Sequence, residues 1–138
     1  MKLVVNRCYG GFGLSDKAVE MVMNRKGLNC FRYKQTKSKY IDGAEEYTRL
    51  NPPCNNMFVH YQTKDLGQTT NNLPNETYWY YGTLERDDSD LIAVVEKLGK
   101  EASGLCACLE VVEIPDDVEW EIDDYDGIET IHEVHRSW

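Results

Sequence analysis

The segment Asn6-Arg7-Cys8-Tyr9-Gly10-Gly11-Phe12-Gly13-Leu14-Ser15 gathers the residue types with which proteins hold anions. Glycines let the backbone turn its N–H groups toward an oxyanion, and a helix starting just behind them adds partial positive charge. Arg7 brings a guanidinium, Ser15 a hydroxyl, and Tyr9 and Phe12 bring rings that stack on a planar ligand. The spacing is neither G-x-x-x-x-G-K-[ST] nor G-x-G-x-x-G, so neither nucleotide-binding fingerprint is present. The plainer alternative is a tight turn that needs positive φ, with its aromatic rings in the core. Arg86-Asp87-Asp88-Ser89 repeats the theme at a second helix start. There Arg86 is either an anion clamp or the partner of Asp87, Asp88 or Asp90 in a capping motif.

Other clusters offer weaker chemistry. Glu110 to Asp126 holds nine carboxylates and no basic residue. Such a run is a solvated sheet face, a carboxylate pair for acid–base or cation chemistry, or a mimic of a phosphate backbone. Asp123-Asp124-Tyr125-Asp126-Gly127 resembles a calcium loop only loosely. His132 and His135 share a face only in a helix, and no third metal ligand is marked. The tail ending in Trp138 reads as a segment that docks onto the domain or lines a subunit contact. The five cysteines, Cys8, Cys30, Cys54, Cys106 and Cys108, form no C-x-x-C and read as small buried hydrophobes. No catalytic nucleophile motif is found, and the expectation is a non-enzyme with no metal or cofactor.

The elements that must position these residues follow from periodicity. Lys2 to Asn6 reads as a buried strand entering the glycine turn, and Ser15 as the cap of a helix that Gly27 ends. Asp88 or Ser89 caps a second helix whose Leu91, Ile92, Val94, Val95 and Leu98 make one apolar face. Thr77–Tyr81 and Leu105–Ile114 read as strands, the latter with Cys106 and Cys108 on one face. Strict alternation over Val118–Ile122 predicts a half-exposed antiparallel strand, with Glu119 and Glu121 outward and Trp120 and Ile122 inward. Ile128–Val134 reads as the last strand. Residues 34–77 look like a loop-rich insertion, with a short helix over Glu45–Leu50, a short strand within Asn55–Tyr61 and a polar loop from Thr63 to Thr77. The prediction is one α+β domain over residues 1–138, mainly antiparallel sheet with two helices and an irregular middle.

At 138 residues and 41% hydrophobic composition the chain can bury an ordinary core. It contains no apolar run of the ~20 residues a membrane helix needs and no signal peptide, so a cytoplasmic location is expected. The net charge of −9 divides unevenly. Residues 1–66 carry 11 basic and 6 acidic side chains, whereas residues 67–138 carry 4 and 18. That split suits an anionic ligand on the first half, or self-association through opposite charges.

The motifs N-R-C-Y-G-G-F and E-I-P-D-D-V-E-W-E-I, taken together, resemble a group of small uncharacterised proteins of tailed phages and prophages. The resemblance spans residues 1–27 and 84–138, with Ser89 where a proline is expected in an R-x-D-P run. It carries over no catalytic residue. What it implies is an anti-defence role in the host cell cytoplasm. The protein would sequester, without cleaving it, an immune signalling nucleotide such as a cyclic ADP-ribose variant or a cyclic oligonucleotide. Arg7, Tyr9, Gly10, Gly11, Phe12, Ser15 and Arg86 are then the expected ligand residues, with the aromatic, basic segment 31–40 in support. The implied partners are a nucleotide-derived small molecule and further copies of the chain in a homo-oligomer. Neither a membrane nor direct nucleic-acid binding is expected. Two alternatives stand beside this: an acidic inhibitor that covers a host defence or nucleic-acid-binding protein, and a small nucleotide-cleaving enzyme using His132 or His135.

Overall fold

Residues 1–52 and 58–134 are described here from a computed structural model. Strand β1 (Lys2–Asn6) is β-branched and apolar, and Leu3, Val4 and Val5 are fully buried. It leads through the glycine turn to helix α1 (Asp16–Arg25), capped by Ser15 as expected. Strand β2 (Phe31–Lys37), a single helical turn α2 (Lys39–Asp42) and strand β3 (Glu46–Leu50) follow. Strands β4 (Val59–Gln62), β5 (Thr69–Thr70) and β6 (Tyr78–Trp79) complete the middle of the chain. Helix α3 (Ser89–Leu98) precedes β7 (Leu109–Glu113), β8 (Trp120–Tyr125) and β9 (Ile128–Glu133).

Every strand pairing among these elements is antiparallel, and the chain is a single α+β domain. β1 pairs with β7, and β8 pairs with β9 as a hairpin. The middle strands form a five-stranded sheet in the order β5-β3-β2-β4-β6. The two longer helices carry the core. Val19, Val22 and Met23 of α1 and Leu91, Val94 and Val95 of α3 recur at i, i+3 and i+4 and interlock over Val4. Ten-residue helices are marginal alone, so this packing holds them. Lys26 and Arg25 at the end of α1 reach Asp88 and Asp90 at the start of α3, which fixes the register of the pair. Tyr61 is buried in the same core, with Val59 and Trp79 packed against it, and so ties the five-stranded sheet to the helices.

Several expectations are corrected. Among the described residues of 34–77, the end of β2 and the short strands β3, β4 and β5 are joined by irregular segments, β4 overlaps the strand expected over Asn55–Tyr61, and Glu46–Leu50 is a strand paired with β2, not a helix. The strand expected over Thr77–Tyr81 shrinks to Tyr78–Trp79. The strand expected from Leu105 starts only at Leu109, because Cys106 takes a positive φ of 65° in a turn. Cys106 and Cys108 therefore stand exposed instead of buried on a strand face, and Cys8 and Cys30 are half-buried. The readings on Cys54, His135 and Trp138 lie outside the described residues. Among the described residues no helix is long and apolar enough to cross a membrane.

Candidate functional site

The glycine turn, Arg7 and Arg86 all meet the β8–β9 hairpin, but only Arg86 binds an anion there, the carboxylate of the protein's own Glu129, while Arg7 and Gly10 meet hairpin backbone carbonyls. Arg86 grips this carboxylate with both terminal nitrogens, Nη1 to Oε1 at 2.5 Å and Nη2 to Oε2 at 2.7 Å. The Asn6 N–H donates to the same Oε1 at 2.8 Å. Glu129 is 3% exposed, so a paired charge has been taken out of water. Arg7 donates from Nη1 to the Glu129 carbonyl at 3.0 Å and from Nε to Glu110 at 3.1 Å. Gly10 donates its N–H to the Asp126 carbonyl. A Cβ on Gly127 would stand 2.3 Å from the Gly11 nitrogen and 2.6 Å from that of Gly10. The turn of the β8–β9 hairpin is thus laid directly on the Gly10–Gly11 backbone, which only glycine at position 127 allows. Ser15 Oγ is occupied as well, accepting from the Ala18 N–H and donating to the Glu101 carbonyl. Tyr9 projects outward, 65% exposed.

Phe12 and Arg86 lead from this ion pair to a second site. The Arg86 guanidinium lies 3.8 Å above the centre of the Phe12 ring. Phe12 packs on Tyr81 with ring centres 6.2 Å apart, and Tyr81 on Tyr80 at 4.9 Å. Tyr80 and Tyr81 form one wall of an open groove of about 440 Å³. Its other walls are Tyr61, Tyr78, Trp79 and His60 from β4 and β6, Lys34 and Gln35 from β2, and Phe58 at the entrance. Phe58 has a φ of 60° and is 78% exposed, a costly backbone for a bulky residue with its ring in water. Tyr80 is 51% and Tyr78 39% exposed. No carboxylate lines the groove, and Lys34 has no ion-pair partner among the described residues.

The polar groups of the groove are tuned by burial. His60 Nδ1 is 2.9 Å from the Tyr78 hydroxyl, and its ring meets Tyr47 edge-on with centres 5.9 Å apart. Burial pushes the His60 imidazole below its ordinary value of 6.5, so the folded protein keeps it neutral. Burial, then the neighbouring Tyr80, pushes the Tyr78 and Tyr81 phenols up, which keeps both as neutral hydrogen-bond donors. The unfolded chain binds a proton at His60 more readily than the folded one. Stability is therefore expected to fall as pH drops through about 6.5 toward the lower folded value, and His60→Gln to flatten that slope. Thermal melts between about pH 7.5 and about pH 5 measure this, and an unchanged slope in the variant would refute the assignment to His60.

A second depression, about 420 Å³, lies between β7 and the β8–β9 hairpin, with Arg7, Trp120 and His132 on its walls. Charge distinguishes the two. Arg7 there is paired with Glu110, His132 is paired with Asp123, and Glu133 lines the wall. An anion entering that depression meets carboxylates, whereas among the described residues the charged side chain lining the aromatic groove is Lys34. His132 also bonds Thr130, and among the described residues no cluster of His, Cys, Asp or Glu has the geometry to hold a metal ion.

Sequence reasoning placed Lys34 and Gln35 within a basic, aromatic segment but missed Phe58, His60, Tyr78, Tyr80 and Tyr81 as site residues. The run Tyr78-Trp79-Tyr80-Tyr81 was the available signal, since four successive aromatics exceed what a strand needs for one buried face. No protein-family model, curated protein or solved structure matches this chain.

Proposed function

We propose that the protein binds a phosphate-bearing nucleotide in the aromatic groove and holds it without cleaving it. The observation that carries this reading is a groove walled by tyrosines and Trp79 on whose lining, among the described residues, Lys34 is an uncompensated cation and no carboxylate stands. Aromatic faces accept any base by stacking, typically for ~1–3 kcal/mol each, and a lysine at the rim meets the phosphate. His60 is engaged with Tyr78, which favours retention of the ligand over attack on it. The phage resemblance of the two terminal motifs supplies a purpose: withdrawal of a signalling nucleotide from a host defence.

Calorimetric titration with a panel of cyclic dinucleotides and a cyclic ADP-ribose variant tests this. Intact ligand should be recovered after binding. Tyr80→Ala should weaken binding about 10- to 100-fold, and Lys34→Ala about 10-fold. Arg7→Ala should leave affinity unchanged, because Arg7 faces Glu110 and the Glu129 carbonyl. Affinity indifferent to Tyr80 and Lys34, or chromatographic detection of product in molar excess over protein, would overturn the reading. The acidic-inhibitor alternative rests on the outward carboxylates of Glu121, Asp123 and Asp124 on β8. It predicts no nucleotide binding, and loss of activity when those three are neutralised.

A further inference from the structure

We propose that the tip of the β2–β3 hairpin docks into the cleft between β7 and the β8–β9 hairpin of a second copy of the chain. At that tip Tyr40 and Ile41 are 97% and 86% exposed, more than any other large apolar side chain among the described residues. They stand on α2, whose single turn is tied at both ends. Ser38 Oγ accepts the Tyr40 N–H at 3.3 Å, and the Gly43 N–H donates to the Lys39 carbonyl at 3.2 Å. The turn buries none of its residues, so an ordered piece of backbone presents two adjacent apolar side chains to water with no gain inside the fold. A contact with another surface supplies that gain.

The cleft, about 420 Å³, is the complement. Val112, Ile114, Pro115, Val118, Trp120 and Ile131 give it an apolar lining. Clefts of ~300–1,000 Å³ take drug-sized ligands, so there is room for one aromatic and one branched side chain. Trp120 and Glu133 are register partners on β8 and β9, which sets an aromatic ring beside a carboxylate. That combination suits a cation. Among the described residues neither Glu133 nor Lys39 has an ion-pair partner, whereas Arg7 at the cleft is taken by Glu110 and His132 by Asp123. Asp42, the acid of the tip, is turned back to accept the Ser38 N–H at 3.0 Å, which leaves Lys39 as the charge that accompanies Tyr40 and Ile41. The longer-range field points the same way. The tip belongs to residues 1–66, with 11 basic and 6 acidic side chains, and most of the cleft to residues 67–138, with 4 and 18. Such a split draws tip to cleft and opposes cleft to cleft. Tyr40 and Ile41 are open to solvent in the single chain, so the docking joins two copies. Neither half lines the aromatic groove, and the contact stands or falls independently of the ligand proposed above.

Sedimentation equilibrium of the full chain tests this. One loop in one cleft is a small interface, so self-association is expected with a dissociation constant of about 10–100 µM, weakening as salt is added. The Tyr40→Ser, Ile41→Ser double variant and the Glu133→Lys variant should each weaken it at least ~10-fold. All three positions are exposed, so thermal melts should match the wild type. Tip and cleft are different patches, and the two variants should therefore complement each other. Their mixture brings an intact cleft to an intact tip and should form a one-to-one complex that neither forms alone. A wild type that stays monomeric up to about 500 µM, well above the expected constant, would overturn the proposal. Self-association unchanged in both variants would overturn it too, as would a mixture that stays monomeric.

Discussion

Glu129→Ala is expected to destabilise the protein by about 3–5 kcal/mol, a large share of the ~5–15 kcal/mol that holds a typical domain folded. The substitution strands the Arg86 guanidinium, whose side chain is 21% exposed, without the carboxylate that both of its terminal nitrogens now grip. It also removes the acceptor of the Asn6 N–H at the end of β1. The cost arises from the orphaned charge more than from the lost pair, so removing both partners should be far milder. A Glu129→Leu, Arg86→Met double variant is expected to recover most of the loss. Urea denaturation of the wild type, the single variant and the double variant measures this, with equal m-values as the check on two-state behaviour. A single-variant loss below about 1 kcal/mol would show that the pair is not the keystone of the hairpin's docking.

Asp16→Ala is expected to cost a similar ~3–5 kcal/mol by breaking the second buried charge network. Asp16 sits in the first turn of α1, where a carboxylate also suits the helix dipole. Its Oδ1 accepts from Arg32 Nε at 2.6 Å and from the Tyr61 hydroxyl at 2.8 Å. Arg32 is 3% exposed and turns its Nη2 to Glu20 at 2.6 Å. Burial works against the Arg32 charge, but its bonds to Asp16 and Glu20 outweigh that and push its pKa above the ordinary arginine value. The network joins α1 to β2 and β4, and therefore joins the helical core to the sheet that carries the groove. Tyr61→Phe removes only one of the three bonds and should cost about 1–1.5 kcal/mol. Because these residues touch, the Asp16 and Tyr61 effects should not add, and a double-mutant cycle measures the coupling. Additivity within about 0.3 kcal/mol would contradict the shared-oxygen geometry.

What was legible in the chain is what is local. β1, the glycine turn and α1 with its Ser15 cap follow from residues within a few positions of one another, and so does α3 behind Asp88. The alternation of Trp120-Glu121-Ile122 likewise announces a half-exposed strand. The middle was legible only in part, as the short strand within Asn55–Tyr61 that overlaps β4, because its strands are short and their partners are distant or unpatterned. Glu46-Tyr47-Thr48-Arg49-Leu50 contains several helix formers, and only pairing with β2 makes it a strand. Glu129 illustrates the same point for the site. In Ile128-Glu129-Thr130-Ile131 the carboxylate reads as the solvent-facing residue, yet it is the most buried of the four because Arg86, 43 residues earlier, meets it. The sequence pointed Arg7, Gly10 and Arg86 toward an anionic ligand, whereas in the fold Arg86 meets Glu129, Arg7 meets Glu110 and Gly10 meets a backbone carbonyl, contacts that no local pattern encodes. The groove was half visible, through Lys34 and the Tyr78–Tyr81 run, and its closure by Tyr81 against Phe12 was not.

On this reading the aromatic groove, rather than the glycine turn, takes the nucleotide. Native mass spectrometry of the full chain with an equimolar panel of cyclic nucleotides addresses it directly. The comparison is among wild type, Arg7→Ala and the Lys34→Ala, Tyr80→Ala double variant. Binding in the aromatic groove should leave an intact nucleotide mass on wild type and on Arg7→Ala, and none on the double variant. Retention by the double variant together with loss from Arg7→Ala would contradict it and return the site to the glycine turn.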